Sequence, residues 1–327
     1  MKHLFAIFVP LCIVCYIGFG VSLAVLGTKD TDTAVSDVVI TNTGSEYEEY
    51  QITEQFDKIE LNNSFYNVTV SEGSSDITTI SVFRPENDFS GADFSAKVSG
   101  DTLVLSSKTS YNGMTQFWKN LAHSIASGDF SNSFSSVTVN ITVPAKIYDS
   151  LDINVGSGRL ILEQIAARDI DIDMGSGTFN YYGKKDFTAD KLEFDMGSGK
   201  SYSDNLSARK YDIEIGSGSF DLNGLRGSGS FEMGSGSGTL GFAEYSNDCS
   251  FDIGSGSLDI ELPENTNATV SASVGSGKVY INACGENTTM KHSGEYRLGS
   301  GGAELDIGLG SGKVNILNAV SSAEQAA

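Results

Sequence analysis

The triplet Gly-Ser-Gly returns at Gly156, Gly175, Gly197, Gly216, Gly234, Gly254, Gly275 and Gly310, and its first five intervals run from 18 to 22 residues. Each triplet is entered by an alternating apolar and polar run and left by another, as in Ile170-Asp-Ile-Asp-Met174, the corner Gly175 to Gly177, then Thr178-Phe-Asn-Tyr181. Alternation with period two on both sides of a glycine corner, renewed about every 20 residues, is the pattern of a parallel β-solenoid in which one strand–corner–strand unit stacks on the next. The fold class expected is therefore all-β, a parallel β-solenoid of about eight coils over residues 151–317.

Glycine suits the corner because each coil turns sharply against the coil above, where a side chain would collide and where positive φ is tolerated. A glycine-rich repeat also invites a phosphate-loop reading. That reading fails, because a phosphate loop opens a helix and these triplets lead into strands or into another glycine corner. The inward positions can be written out: Leu151, Ile153 and Val155, then Ile170, Ile172 and Met174, then Leu192, Phe194 and Met196, then Tyr211, Ile213 and Ile215. Outgoing strands supply Leu160, Phe179, Tyr202, Phe220, Leu240, Leu258, Val279 and Val314, and return loops supply pairs such as Ile165 with Ala167 and Leu206 with Ala208. The result is a roughly three-sided apolar interior. The Gly-Ser-Gly at Gly227 falls in register with Ala208 of the return loop, so it adds no coil. An excursion from Asn282 to Gly302 interrupts the series before the last corner.

Upstream, the run from Leu4 to Gly27 carries no charge and is long enough to cross a hydrocarbon layer about 30 Å thick. Residues 1–27 are expected to be a transmembrane anchor with a cytoplasmic N-terminus, from the weak positive-inside bias of Lys2; the alternative is a cleaved signal ending near Ala24. Residues 28–50, with Asp30, Asp32, Asp37, Glu46, Glu48 and Glu49, read as an acidic solvated stalk. Residues 51–150 read as an N-terminal β cap region, either irregular first turns of the solenoid or a small β domain before it. Within it Met114, Phe117, Trp118, Leu121, Ala122, Ile125 and Ala126 have helical spacing, predicting a helix near 114–126 that plugs an open end or docks on a membrane or partner. Residues 318–327 read as a loose tail.

The chemistry is sparse. Twenty-one basic against 42 acidic residues give a net charge of −21, which disfavours nucleic acid and anionic lipid as partners and favours cationic ones. The outward positions of the ingoing strands are acidic: Asp152, Asp171, Glu193, Asp212, Glu232 and Asp252 as one row, with Asp173, Asp195 and Glu214 as another. Stacked coils hold such charges about 5 Å apart, so each adjacent pair repels by about 1 kcal/mol even at the dielectric of water. Arg168, Lys191, Arg209 and Lys210 are the nearby relief, and bound divalent cations are the alternative. The calcium nonapeptide of β-rolls is missing, so a solvated acidic face with no resident metal or other cofactor is expected. The histidines, His3, His123 and His292, have no ligand spacing, and acids recurring at one coil position mark a stacking rule and not an active site, so no catalytic residue is assigned. Cys249 and Cys284 occupy different phases of the coil, and no disulfide is predicted.

The opening Phe56-Asp-Lys-Ile-Glu-Leu61, Asn67-Val-Thr-Val70 and Ile80-Ser-Val82, followed by serial strand–Gly-Ser-Gly–strand repeats, resembles the bacterial putative adhesin family of β-strand-repeat proteins, over about residues 50–317. The resemblance implies a cell-envelope protein, often membrane-anchored, with an extracytoplasmic β-solenoid and no assigned catalytic residue. Some members of that family are associated with envelope-stress responses. Two functions from different classes follow as expectations: a non-catalytic adhesin or envelope scaffold meeting cell-envelope or host-surface components, and a sensor or regulator that binds cationic peptides. A glycan-cleaving enzyme is the third and least supported.

Overall fold

A computed structural model of the chain describes residues 38–40, 47–63, 67–83, 92–109 and 137–319. The expected anchor over 1–27 and the helix near 114–126 lie outside the described residues. Among those described, no helix is long and apolar enough to cross a membrane.

Every described element is a strand. In chain order they are β1 (Val38–Ile40), β2 (Tyr47–Ile52), β3 (Lys58–Asn63), β4 (Asn67–Gly73), β5 (Thr78–Phe83), β6 (Ala92–Ser99), β7 (Thr102–Thr109), β8 (Thr138–Pro144), β9 (Ile147–Glu163) and β10 (Ala166–Tyr182). Then come β11 (Ala189–Ser203), β12 (Ala208–Leu225), β13 (Ser228–Phe242), β14 (Cys249–Leu262), β15 (Ala268–Val274), β16 (Lys278–Ala283), β17 (Glu286–Met290), β18 (Gly294–Leu298) and β19 (Ala303–Asn318). The long strands β9 to β14 each run through a Gly-Ser-Gly corner and pair in parallel with the next, Ser157 on Ser176, Ser176 on Ser198, Ser198 on Ser217, Ser217 on Ser235 and Ser235 on Ser255. This mostly parallel stack is the arrangement of a β-solenoid.

The interior follows the alternation. Ile153, Ile172, Phe194, Ile213, Phe231, Phe251 and Ile307 form one buried file, and Val155, Met174, Met196, Ile215, Met233, Ile253 and Leu309 form another. Return-loop residues Ile165, Ala167, Leu206, Ala208, Leu225 and Phe242 close the third side. Rings pack across coils at 5.2 Å for Phe179 on Phe194 and 5.3 Å for Phe220 on Phe231. The file of the outgoing strands departs from expectation in two coils. Leu160, Phe179, Ser201, Phe220, Gly238 and Leu258 are the aligned residues, so Tyr202 faces outward and Leu240 aligns instead with Leu222 and Ser203. Serines at the inward positions of β11 and a glycine in β13 leave room for the phenyl rings beside them; a Cβ on Gly238 would stand 2.4 Å from the Phe220 carbonyl oxygen and 2.5 Å from its ring.

Sequence order and stacking order part company at both ends. Strands β3 and β4 pair in parallel with the two halves of β9, and β7 and β8 pair in parallel on β3 and β4 in turn, so the region before residue 150 continues the stack. Antiparallel strands then cover it: β6 on β7, β1 on β6, β5 on β8 and β2 on β5. The reading of 28–50 as a stalk is thereby corrected for its last residues, since β1 and β2 join the sheet. In β2, Tyr50 and Ile52 pack on the core while Glu49 and Gln51 alternate outward, a strand pattern that the acid content had obscured.

At the other end the last corner does not stack last. Strand β19 pairs along its length with β14, Ser311 on Ser255, while its opposite edge pairs with β15 and β16, so the coil at Gly310 lies between those of Gly254 and Gly275. The backbone N–H groups of Gly275 and Ser276 donate to the carbonyls of Leu309 and Gly310, each at 2.8 Å. Antiparallel β17 and β18 flank β16 and β15 on the outside, in the place of the excursion from Asn282 to Gly302. Asn318 is the final residue of β19, its side-chain Oδ1 accepts from the Cys284 N–H at 2.8 Å, and the Ala319 N–H donates to the Leu262 carbonyl at 2.7 Å, so the first two residues of the expected loose tail are tied to the stack; residues 320–327 lie outside the described residues.

Candidate functional site

The corners form one column of backbone against backbone. A Cβ on the first glycine of a triplet would stand 2.6 Å (Gly175) to 2.8 Å (Gly197, Gly234, Gly254) from the carbonyl oxygen of the glycine stacked against it. The third glycine is tighter still: at Gly177 the distance is 2.2 Å, with φ +145°. Only glycine satisfies both conditions, the contact and the left-handed backbone.

Beside this column the acidic side chains fall into two rows, and counting back from each corner gives the rows correctly. Four residues before the corner stand Asp152, Asp171, Glu193 and Asp212, continued at one end by Glu60 and at the other by Ser230 and Ser250. Two residues before it stand Asn154, Asp173, Asp195, Glu214, Glu232 and Asp252, and then Gly308. Glu232 and Asp252 therefore belong to the second row and not the first, which makes an unbroken file of five carboxylates next to the corners. Two shallow depressions follow this file end to end and meet at Glu214, one lined by Asn154, Asp173 and Asp195, the other by Glu232, Asp252 and Gly308.

Among the described residues no ion pair joins a cation to the second row. Lys191 forms an ion pair with Glu193 of the first row, while Arg209 pairs with Asp190 and Arg168 with Asp149 at 3.7 Å. In the first row the Ser230 hydroxyl donates to Asp212 at 2.6 Å. Partial burial and neighbouring carboxylates push Asp195 up to about 6, with Glu214 the largest neighbour, and the same causes raise Asp152 and Asp171. Among the described residues no group of carboxylate, histidine and cysteine side chains has the geometry to hold a metal ion. Cys249 is buried and accepts a hydrogen bond from the Tyr211 hydroxyl at 2.9 Å, and burial raises its thiol pKa; it and Cys284 are unbridged.

The shift at Asp195 fixes a pH dependence. Between the ordinary 3.8 and about 6 the folded chain holds a proton that the unfolded chain has released, so stability falls as pH rises through that window. Asp195→Asn is expected to stabilise the fold at neutral pH by about 1 kcal/mol, a figure already reduced for solvent screening of an exposed group, and to flatten the profile between pH 4 and pH 6. Urea melts across that range provide the check; an unchanged slope for the variant counts against the repulsion.

A glycine corner column, a parallel stack and an acidic outer file define the class: a β-solenoid of Gly-Ser-Gly coils. The chain belongs to the Toastrack DUF4097 family, which it matches over residues 56–317. No curated protein matches the sequence. Among solved structures it is similar to a putative lipid binding protein from Parabacteroides distasonis, at 17% identity and a TM-score of 0.44, covering 86% of this chain and 98% of that one. A putative adhesin from Bacteroides fragilis has 13% identity and a TM-score of 0.40, with coverage of 83% and 97%. A putative cell adhesion protein from Clostridium sporogenes has 14% identity and a TM-score of 0.30, with coverage of 84% and 100%.

Proposed function

We propose that this protein is a non-catalytic, single-pass, membrane-anchored cell-surface solenoid that serves as an adhesin or envelope scaffold, held by residues 1–27 with the coils outside the membrane. The observation that carries the reading is the file Asp173, Asp195, Glu214, Glu232 and Asp252, five carboxylates at successive coils with no ion pair to a cation among the described residues. Such a file offers the same weak contact at every coil, so a repetitive cationic surface gains affinity by adding sites and needs no deep pocket. Charge of one sign at close spacing also disfavours anionic partners such as nucleic acid.

The second reading, an envelope-stress sensor or regulator, rests on the same file and differs in its ligand: a soluble cationic peptide in place of a surface. A binding assay separates them. The protein is tested against a decalysine peptide and against amine-coated beads at low and high ionic strength, beside a variant carrying Asn or Gln at all five positions. The adhesin reading expects retention on beads that salt and the variant both abolish, with weak peptide binding. Tight peptide binding favours the sensor, and retention unaffected by the variant removes the acidic file from either account. Surface exposure is checked separately, by protease treatment of intact cells.

A further inference from the structure

Strand β11 breaks the pattern that its neighbours keep. Its outgoing half turns Ser201 and Ser203 to the interior and Tyr202 outward, so hydroxyls occupy the positions that Phe179 and Tyr181 fill in β10 and that Phe220 and Leu222 fill in β12. Among the described residues the Ser201 hydroxyl is buried without a hydrogen-bond partner, which costs stability. Tyr202 is meanwhile 37% exposed, the one large apolar side chain left so among the described residues of 151–317. Burial alone favours the opposite arrangement, and a costly local inversion of this kind is expected where a residue serves binding.

The face around Tyr202 has its own chemistry. The Tyr202 ring meets that of Tyr182 in the preceding coil, with centroids 5.9 Å apart and planes at 53°. Along its row the next four coils place Asp221, Thr239, Asp259 and Asn315 in register; Tyr280 ends the row, its ring covered by the Lys313 ammonium at 5.3 Å. The Asn223 amide donates to Asp221 at 2.7 Å and the Asn315 amide donates to Asp259, so each carboxylate has an amide beside it. One such bond uses one carboxylate oxygen and one N–H, and each pair keeps both a donor and an acceptor. Nearer the corner stand Ser219, Ser237 and Ser257, hydroxyls where the other side of the corner carries carboxylates.

We propose that this face binds an extended, uncharged β-1,4-linked glycan laid along the stack, with Tyr182 and Tyr202 as its platform. The site is separate from the acidic file of the ingoing strands. A pyranose presents a flat C–H surface to an aromatic ring and hydroxyls at its rim, and an amide beside a carboxylate serves adjacent hydroxyls as donor and acceptor at once. The coil rise of about 4.8 Å is close to the length of one sugar unit in such a chain, so successive units meet successive coils. Other occupants fit less well. An anionic polymer meets Asp221 and Asp259, a cationic peptide finds a denser row of carboxylates across the corner, and an acyl chain needs a dry groove where this face offers serine and threonine hydroxyls.

The test titrates the full chain, in a detergent that carries no sugar, with cellohexaose and with N-acetylated chitohexaose, beside maltohexaose as an α-1,4-linked control. Calorimetry is expected to show saturable binding of at least one β-1,4 hexasaccharide, unchanged between low and high ionic strength, and none of maltohexaose. The tighter of the two assigns the source, a glucan or an amino-sugar polymer. Tyr182→Ala combined with Tyr202→Ala should weaken binding at least about tenfold, the equivalent of 1.4 kcal/mol, while Tyr202→Phe, which keeps the ring, stays within about threefold of the parent. The variant with Asn or Gln at the five positions of the acidic file should bind the glycan as the parent does, whatever becomes of its binding to cationic surfaces. Failure to bind either β-1,4 hexasaccharide overturns the proposal. So do equal affinity for maltohexaose, equal affinity of the double alanine variant, and loss of glycan binding in the acidic-file variant.

Discussion

Gly177→Val is expected to remove about 3–5 kcal/mol from the stack, a large share of the 5–15 kcal/mol typical of a whole domain. Two costs combine. The new Cβ would stand 2.2 Å from the Gly158 carbonyl oxygen, an atom of the backbone ladder that has no rotamer to change, and valine would have to hold φ near +145°. Relief requires the two coils to move apart, which breaks the ladder from Ser176 on Ser157 outward. The neighbouring position at the next corner but one is the control: Ser217 is exposed, and Ser217→Ala should stay within about 0.5 kcal/mol of the parent. Urea melts of the two variants decide it. A valine variant within about 1 kcal/mol of the parent would mean that the corners are not in the contact described.

Ending the chain at Gly302 is expected to detach β15 to β18 from the rest. Those strands have no register with β14, so β19 is the element through which they join the stack, and five apolar side chains worth about 1.5–3 kcal/mol each leave with it. Hydrogen exchange should show the amides of Ala268 to Val274 unprotected while those of β10 to β12 stay protected, because a repeat stack loses stability locally from its ends. Retained protection in β15 would show that its antiparallel pairing with β18 is enough to hold it without β19.

The corners, the parallel stacking and most inward files were legible because glycine spacing and period-two alternation are written in each coil separately. What failed was whatever a single coil does not encode. Glu232 and Asp252 fall in the second row because the chain keeps its register from the corner, and the first-row positions of those two coils hold Ser230 and Ser250, which carry no charge to mark the row. Tyr202 was placed inward because β11 turns Ser201 and Ser203 to the interior, and small polar residues there look like an outer face. The sandwiching of β19 left no local trace at all: its sequence reads like any other coil, and its position rests on pairing with β14 along one edge and with β15 and β16 along the other, partners remote in sequence. Acidic composition concealed β2 in the same way, since Tyr50 and Ile52 are too few to announce a strand without their partner β5. The acidic positions were legible as a list, but which of them meet a cation among the described residues was not, because Lys191 turns to Glu193 while Arg168 and Arg209 lean toward Asp149 and Asp190.

The clash that would follow any Cβ at a corner is with the main chain of the adjoining coil, so no compensating change of side chain next door can relieve it. Such a protein has few routes by which to vary its shape residue by residue. Adding or deleting one residue within a strand turns its inner face outward, whereas duplicating or losing a complete corner-to-corner unit preserves all of the neighbouring contacts. Length, counted in whole units, is thus the dimension along which relatives of this chain are free to diverge, and with it the number of carboxylates they can line up.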